Sequence, residues 1–309
     1  MDIIDVAIIG SGSAGLSAAQ YAARANLKAV VFERMAGGGQ CLLIDNLENY
    51  PGIPAINGFD FSQQMQKQAQ EFGAQFIMQD IKSIEKQADG FFKIIASSAQ
   101  YTAKAVIAAT GAKHKTLDIP GEGEYIGRGV SYCATCDGPF FRNRHILVVG
   151  GGDAACDEAT FLSKLTDKIT MIHRRDTFRA QKAIADRVLN NPKIKVLWNT
   201  ELKEIHGPEI VTSATLYNNA QKESFRLDID AAFIFIGSDP QSQLFTMAAR
   251  DEQGYLITDG RMRTNIAGLF AAGDVRNTPF RQVVTACSDG AIAANEASHY
   301  LDDIAGKTY

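Results

Sequence analysis

Two cysteines three positions apart lie in the stretch Cys133-Ala134-Thr135-Cys136-Asp137. Thiols at this spacing can close a small disulfide ring, and local positive potential can lower the pKa of one of them. Asp137 follows directly, where a carboxyl can give a proton to a departing thiolate. Redox exchange is the chemistry this segment is read for. A zinc half-site and an incidental pair are the alternatives. Zinc normally takes four ligands, and no second Cys-x-x-Cys or closely spaced His pair accompanies the first, so no metal is expected. An incidental pair fits poorly with a position just ahead of a nucleotide-binding turn. Cys41, Cys156 and Cys287 have no such neighbours and read as packed small hydrophobes or surface thiols of no consequence.

The elements that must position this pair come from a duplication. Val6-Ala7-Ile8-Ile9 runs into Gly10-Ser11-Gly12-Ser13-Ala14-Gly15, a helical stretch to Ala25, and a second strand-like run, Ala29 to Phe32, ending in Glu33. The pattern returns 140 positions later. Ile146-Leu147-Val148-Val149 leads into Gly150-Gly151-Gly152-Asp153-Ala154-Ala155, a helical stretch to about Ser163, and Ile169 to Ile172 ending in His173. In such a turn the first glycine allows the tight bend and the second lets backbone approach a pyrophosphate. The third position, Gly15 or Ala155, must be small for the helix to lie on the strand. The anion then rests on free N–H groups at the positive helix end. One such turn is weak evidence. Two copies, each after a strand and before a helix, predict two bound dinucleotides.

The strand ends tell the two nucleotides apart. Glu33 stands 18 residues past Gly15, where a carboxylate can accept both ribose hydroxyls. The equivalent position of the second copy is His173, followed by Arg174, Arg175 and, after Asp176-Thr177-Phe178, Arg179. Cations in place of a carboxylate suit a 2′-phosphate through charge-assisted, partly bidentate hydrogen bonds. A solvated basic face is the plainer alternative, but the alignment with Glu33 is residue for residue. NADPH, not NADH, is expected at the second site.

Phe61, Met65, Ala69 and Phe72 fall at helical spacing and read as a core face. Short alternating runs follow from Gln75 to Tyr101, and Ala105 to Ala109 reads as a buried strand closing on Thr110-Gly111. The chain turns polar between Lys113 and Pro120, a crossing between domains, and Ser238-Asp239-Pro240 marks the return. Leu269 to Ala272 is a further strand running into Gly273-Asp274, and Gln282 to Tyr300 is helical. The expected fold is α/β, two Rossmann-like dinucleotide-binding domains of three layers (ββα), the second inserted into the first. Residues 1–115 with 242–309 form the first domain and 116–241 the second.

Composition narrows the function classes. Hydrophobic residues make up 46% and charged residues 21%, which fits a globular chain and excludes disorder. Basic residues number 31 against 35 acidic, giving −4, a poor balance for non-specific nucleic-acid binding. No run nears the ~20 apolar residues of a membrane span. Met1-Asp2-Ile3-Ile4-Asp5 lacks a basic leader region, so no secretory signal and a cytoplasmic location are expected. Five cysteines in 309 residues do not make a disulfide scaffold.

Taken together, these motifs resemble the low-molecular-weight thioredoxin reductases over essentially the whole chain. The resemblance rests on Gly10–Gly15, Gly38-Gly39-Gln40, Asn49-Tyr50-Pro51-Gly52, Ala109-Thr110-Gly111, Cys133-Ala134-Thr135-Cys136-Asp137-Gly138, His173-Arg174-Arg175-Asp176 with Arg179, Gly273-Asp274 and Arg281-Gln282. It implies FAD on the first domain, NADPH on the second, and a homodimer passing electrons from NADPH through flavin and dithiol to thioredoxin. Cys136 would lie nearest the flavin, Cys133 would attack the thioredoxin disulfide, and Asp137 would be the acid–base group. For FAD the resemblance implies Gly10, Ser11, Gly12, Ser13, Ala14, Gly15, Glu33, Gly38, Gly39, Gln40, Asn49 and Gly111. Asp274 would hold the ribityl chain, and Arg281, Gln282 and Val283 would face the flavin ring from the start of the last helix. NADPH would take Gly150, Gly152, Asp153, Ala154, His173, Arg174, Arg175 and Arg179. Because dithiol and NADPH turn share one domain and flavin the other, a rotation about the two crossings is also implied.

There are departures from the family pattern. Ser13 stands where proline is usual, Cys41 where an aliphatic or hydroxyl residue is common, and Pro139 where some relatives carry an aromatic thought to dock thioredoxin. The last bears on partner choice. A related flavin disulfide enzyme serving another partner, and a nucleotide-sensing protein without turnover, are the alternatives.

Overall fold

Apolar on both faces, Ile4–Ile9 (β1) is the middle strand of a parallel sheet in the computed structural model, which describes residues 3–35, 37–44 and 46–307. Met1 and Asp2 of the leader reading, and Ala36 between Glu33 and Gly38, lie outside those residues. After β1 come Ser13–Arg24 (α1), Ala29–Glu33 (β2), Gly58–Glu71 (α2) and Gln75–Met78 (β3). An antiparallel meander follows, Ile81–Lys86 (β4), Phe92–Ala96 (β5) and Gln100–Ala108 (β6). The long β6 serves twice. Its first half pairs with β5, while its second half runs parallel to β1, with Val6 opposite Ala105.

The period-two alternation of β1 divides the core. Val6 and Ile8 cluster with Ala18 and Ala22 of α1 on the helical side, and Ala7 and Ile9 with Ile84, Phe92 and Ile94 of the meander. Phe61, Met65 and Ala69 of α2 are buried as their spacing suggests, but Phe72 is 45% exposed. It is the C-cap of α2, past the last helical turn, and its ring lies under the Arg24 guanidinium at 4.8 Å.

Ala112–His114 (β7) carries the chain out, and Ser238–Pro240 (β16) brings it back, the two pairing as a short ribbon. Two compact units result, Met1–Lys113 with Asp239–Tyr309, and His114–Ser238. The inserted unit repeats the architecture. Val130–Ser131 (β8) and Ala134–Asp137 (α3) precede the second strand–turn–helix, Ile146–Gly150 (β9) and Asp153–Leu162 (α4). Ile169–Ile172 (β10), Lys182–Leu189 (α5) and Ile194–Leu197 (β11) extend it. A meander of Thr200–His206 (β12), Ser213–Asn218 (β13) and Glu223–Asp228 (β14) then leads into Ala231–Phe235 (β15). The parallel order is β11-β10-β9-β15-β8. Ile146 and Val148 cluster with Ala155, Ala159 and Leu162 of α4, and Leu147 and Val149 with Leu202, Ile205 and Leu216 of the meander.

Back in the first unit, Leu269–Ala271 (β17) adds to β6, and Val283–Ile304 (α6) covers the sheet beside α1 through Ala293, Ala294 and Ala297. Each unit is a parallel sheet between a meander and helices. Among the described residues no helix is long and apolar enough to cross a membrane, and no group of three or more His, Cys, Asp or Glu is placed to hold a metal.

Candidate active site

Cys133 and Cys136 form a disulfide, with their Cα atoms 5.3 Å apart. Cys133 caps the single turn α3, its sulfur accepting from the Cys136 N–H at 3.2 Å. Asp137 closes the same turn, its N–H donating to the Cys133 carbonyl at 3.1 Å. The buried Ser131 hydroxyl donates to Asp137 Oδ2 at 2.5 Å, and its oxygen accepts the Cys133 N–H at 3.1 Å. Nothing in the local spacing announces Ser131. Pro139 opens a 3-10 turn, Gly138–Phe141, that leaves Phe140 51% exposed.

In the first glycine turn, a Cβ on Gly15 would sit 1.9 Å from the Gly10 carbonyl oxygen, so only glycine lets α1 lie this close to β1. Gly12 is the N-cap of α1 and has no side-chain cap, which leaves first-turn N–H groups for an anion. Glu33 is drawn to this turn. Its Oε2 accepts from the N–H and hydroxyl of Ser11 at 3.0 and 2.9 Å, and its Oε1 from the Arg34 N–H at 2.8 Å. Gly38 N–H donates to the Ser11 carbonyl at 2.9 Å, bringing the Gly38-Gly39 segment beside Gly12. Gln40 Nε2 donates to the Ala112 carbonyl, one residue past Gly111.

Residues far apart in sequence meet on the same side. Asn49 Nδ2 donates to Gln282 Oε1 at 3.0 Å, and Gln282 and Thr285 form a capping box at the start of α6 with Val283 first in the helix. Arg281 lies over Tyr255, 4.4 Å from the ring centroid, and its buried Nε makes no hydrogen bond within the protein. Burial raises the Asp274 pKa, against the pull of Arg281. The adjacent Gly273 N–H is held by Asp289, itself paired with Arg276 at 3.0 Å. Tyr255, Asp289 and Arg276 carry no motif and were not legible in the sequence. Cys41 and Ser13, two departures from the family pattern, are partners: thiol and hydroxyl lie 3.0 Å apart.

The second turn matches the first. Gly152 is the N-cap of α4, again with no side-chain cap, and Ala154 and Ala155 follow in the first turn of the helix. Ala155, the small third position, is fully buried. His173, the residue just past β10, is a buried ring whose Nε2 has no hydrogen-bond partner in the protein. Burial first, then Arg179, Arg174 and Arg175, push its pKa down, which favours the neutral imidazole. Arg174, Arg175 and Arg179 are exposed. The Asp153 carboxylate accepts from Gln181, on the far side of the arginine segment. Uncapped helix starts, two buried nitrogens without hydrogen-bond partners in the protein (His173 Nε2 and Arg281 Nε), and a cation row fit a dinucleotide at each turn.

Residues 4–290 match the sequence profile of the pyridine nucleotide-disulphide oxidoreductases. The thioredoxin reductase of Treponema pallidum (strain Nichols) is 56% identical over 301 residues, covering 97% of this chain and 98% of that one. The crystal structure of thioredoxin reductase from Streptococcus pyogenes MGAS5005 matches at TM-score 0.93 and 42% identity, over 97% of this chain and 99% of that one. The Lactococcus lactis thioredoxin reductase in its FR conformation has the same identity and coverage and a TM-score of 0.67. This chain belongs to the pyridine nucleotide-disulphide oxidoreductase family, among its thioredoxin reductases.

Proposed function

We propose that this protein reduces the disulfide of thioredoxin at the expense of NADPH, as a cytoplasmic homodimer with FAD on its first unit. The observation that carries the reading is the Cys133–Cys136 disulfide, closed by Asp137, in the unit that also bears the arginine-flanked glycine turn. Bound FAD supplies a carrier that takes a hydride from NADPH and gives an electron pair to the disulfide. The backbone of Gly10–Gly15 holds its pyrophosphate at the start of α1, with Gly38, Gly39 and Gln40 alongside. Glu33 takes the ribose hydroxyls and Asp274 the ribityl chain. Asn49, Gly111, Arg281, Gln282 and Val283 border the ring, and the positive end of α6 favours negative charge there. Gly150, Gly152, Asp153 and Ala154 form the NADPH turn, and His173, Arg174, Arg175 and Arg179 its 2′-phosphate end.

Once the pair is reduced, Cys133 attacks one sulfur of the thioredoxin disulfide, forming a mixed disulfide and releasing the other as thiolate. Cys136 then attacks the Cys133 sulfur, restoring the Cys133–Cys136 bond and freeing thioredoxin as a dithiol. Asp137 moves the protons, giving one to the leaving thiolate. Delivering electrons to the pair and exposing it to a protein are different demands, and rotation of one unit against the other about the β7–β16 ribbon meets both.

One cuvette tests the reading. Visible absorbance of the isolated holoenzyme should show flavin, NADPH should bleach it, and oxidised thioredoxin should restore it with continued NADPH consumption. Cys133→Ser should retain flavin and be bleached by NADPH but give no turnover. Bleaching with no response to any thioredoxin would favour another disulfide partner, and no bleaching would favour nucleotide binding without catalysis.

A further inference from the structure

A carboxylate at the first position of α4 is out of place in a phosphate-binding turn. The positive helix end is to hold the pyrophosphate, and an unengaged Asp153 beside it would repel that group. The fold turns the charge away. Asp153 Oδ1 accepts from the backbone N–H of Gln181 at 2.7 Å, and Oδ2 from Gln181 Nε2 at 3.3 Å. Two residues earlier, the Arg179 N–H donates to the Gly151 carbonyl at 2.7 Å. A Cβ on Gly151 would fall 2.3 Å from the His173 ring, so this glycine also seats the residue at which the arginine segment begins. The other side of the segment is fastened by the Asn199 N–H to the Arg175 carbonyl at 3.0 Å and the Thr200 N–H to the His173 carbonyl at 2.9 Å.

The exposed arginines are thus carried on a loop tied at both ends, and its far end is tied to the glycine turn itself. Arg174, Arg175 and Arg179 repel one another, and none makes an ion pair among the described residues. Without the tie, like-charge repulsion would spread the loop away from the turn. We infer that Asp153 is a positioning residue for nucleotide selectivity: it latches the arginine loop to the glycine turn, so that arginines and helix start engage the two phosphate ends of one nucleotide. The inference rests on reading the second unit as the NADPH site, and it changes how Asp153 serves that site. Its side chain works through Gln181, and only its backbone belongs to the phosphate cradle.

The test measures kcat/KM for NADPH and for NADH with the holoenzyme and takes their ratio, which a general loss of stability does not move. Asp153→Ala should lower the NADPH:NADH ratio about tenfold, the scale of one lost charge-assisted hydrogen bond. Asp153→Asn keeps the Oδ1 acceptor and should stay within about twofold of the parent ratio. Gln181→Pro removes the donor from the other side, and Gln181 already has proline-compatible backbone, φ −54° and ψ 142°. It should mimic Asp153→Ala, and it carries the test should that variant fail to fold. A parental ratio in either variant overturns the latch, as does an Asn variant as impaired as the Ala one. The double variant Arg174→Ala, Arg175→Ala separates the two levels. If it keeps the parental ratio, the NADPH reading falls; if it collapses the ratio while Asp153→Ala and Gln181→Pro keep it, only the latch falls.

Discussion

Ser131 and Asp137, six residues apart, are joined by a 2.5 Å hydrogen bond that spans the turn carrying the disulfide. A buried hydroxyl donating to a carboxylate fixes where that carboxylate points, and here the carboxylate belongs to the turn that carries the sulfur pair. Asp137→Asn should fold and keep flavin, yet slow electron transfer between flavin and dithiol by ~10²–10⁴-fold, the usual worth of positioned acid–base assistance. Ser131→Ala should slow the same step by roughly tenfold, because the carboxylate remains but loses its orientation. Stopped-flow absorbance of the flavin reads both. An Asp137→Asn enzyme as fast as the parent would reduce Asp137 to a turn residue.

Thiol chemistry should be confined to one pair. Cys41, Cys156 and Cys287 are all buried, and burial raises each pKa, to about 12 for Cys156 and about 11 for Cys287. A thiol with so high a pKa is almost wholly protonated near neutrality, and the thiolate is the reactive form. NADPH-reduced native enzyme at pH 7.5 should therefore take up two equivalents of iodoacetamide, and denatured reduced enzyme all five. Labelling of a third native thiol should appear only well into the alkaline range, with Cys287 and Cys156 reacting as pH climbs toward 11 and beyond. Mass spectrometry of the alkylated chain decides it.

Glu122 is 2% exposed and holds two segments together. Its carboxylate accepts from the Leu117 N–H at 2.9 and 3.0 Å and from the Tyr132 hydroxyl at 2.9 Å. Glu122→Ala orphans both donors and should cost about 2–6 kcal/mol in urea unfolding, since each buried unsatisfied group costs roughly 1–3 kcal/mol. Burial first, then Glu122, holds the Tyr132 phenol above its ordinary pKa. A pKa raised by folding gives stability that is present below the unfolded value, ~10 for tyrosine, and is lost as pH rises beyond it. Unfolding free energy should fall above pH 10 in the parent, and less steeply in Tyr132→Phe.

The parts of this protein that repeat at short range were legible in the sequence. Strand, glycine turn and helix announce themselves within about 25 residues, because β-branched runs, a turn that needs glycine and helical periodicity are local properties. The double role of β6 was not, since which partner each half takes depends on β5 and β17, distant in sequence. Phe72 kept the helical spacing, but spacing does not say where the last turn stops. Cys41 and Ser13 were noticeable singly as departures, yet their contact depends on how the Gly39–Leu43 turn folds over α1. Asp153 shows the same limit within a motif: position in the turn speaks for its backbone, whereas its side chain answers to Gln181, 28 residues on.

Trp198 is the one tryptophan of the chain and stands behind the arginine loop. Its ring lies 4.5 Å from Phe178 and 6.5 Å from His173, between centroids, and the neighbouring Asn199 holds the Arg175 carbonyl. A 2′-phosphate drawn onto Arg174, Arg175 and Arg179 should therefore disturb the tryptophan's surroundings without any redox step. Titration of oxidised holoenzyme with 2′,5′-ADP should change its tryptophan emission along a saturable, single-site curve. Adenosine 5′-diphosphate, which lacks the 2′-phosphate, should give no comparable change at the same concentrations. Arg175→Ala should move the midpoint upward by about 10–100-fold, the range expected for one or two charge-assisted hydrogen bonds. Trp198→Phe should abolish the signal and so confirm its source. Equal responses to the two nucleotides would mean that the arginine loop does not read the 2′-phosphate, and would move nucleotide selectivity to another part of the second unit.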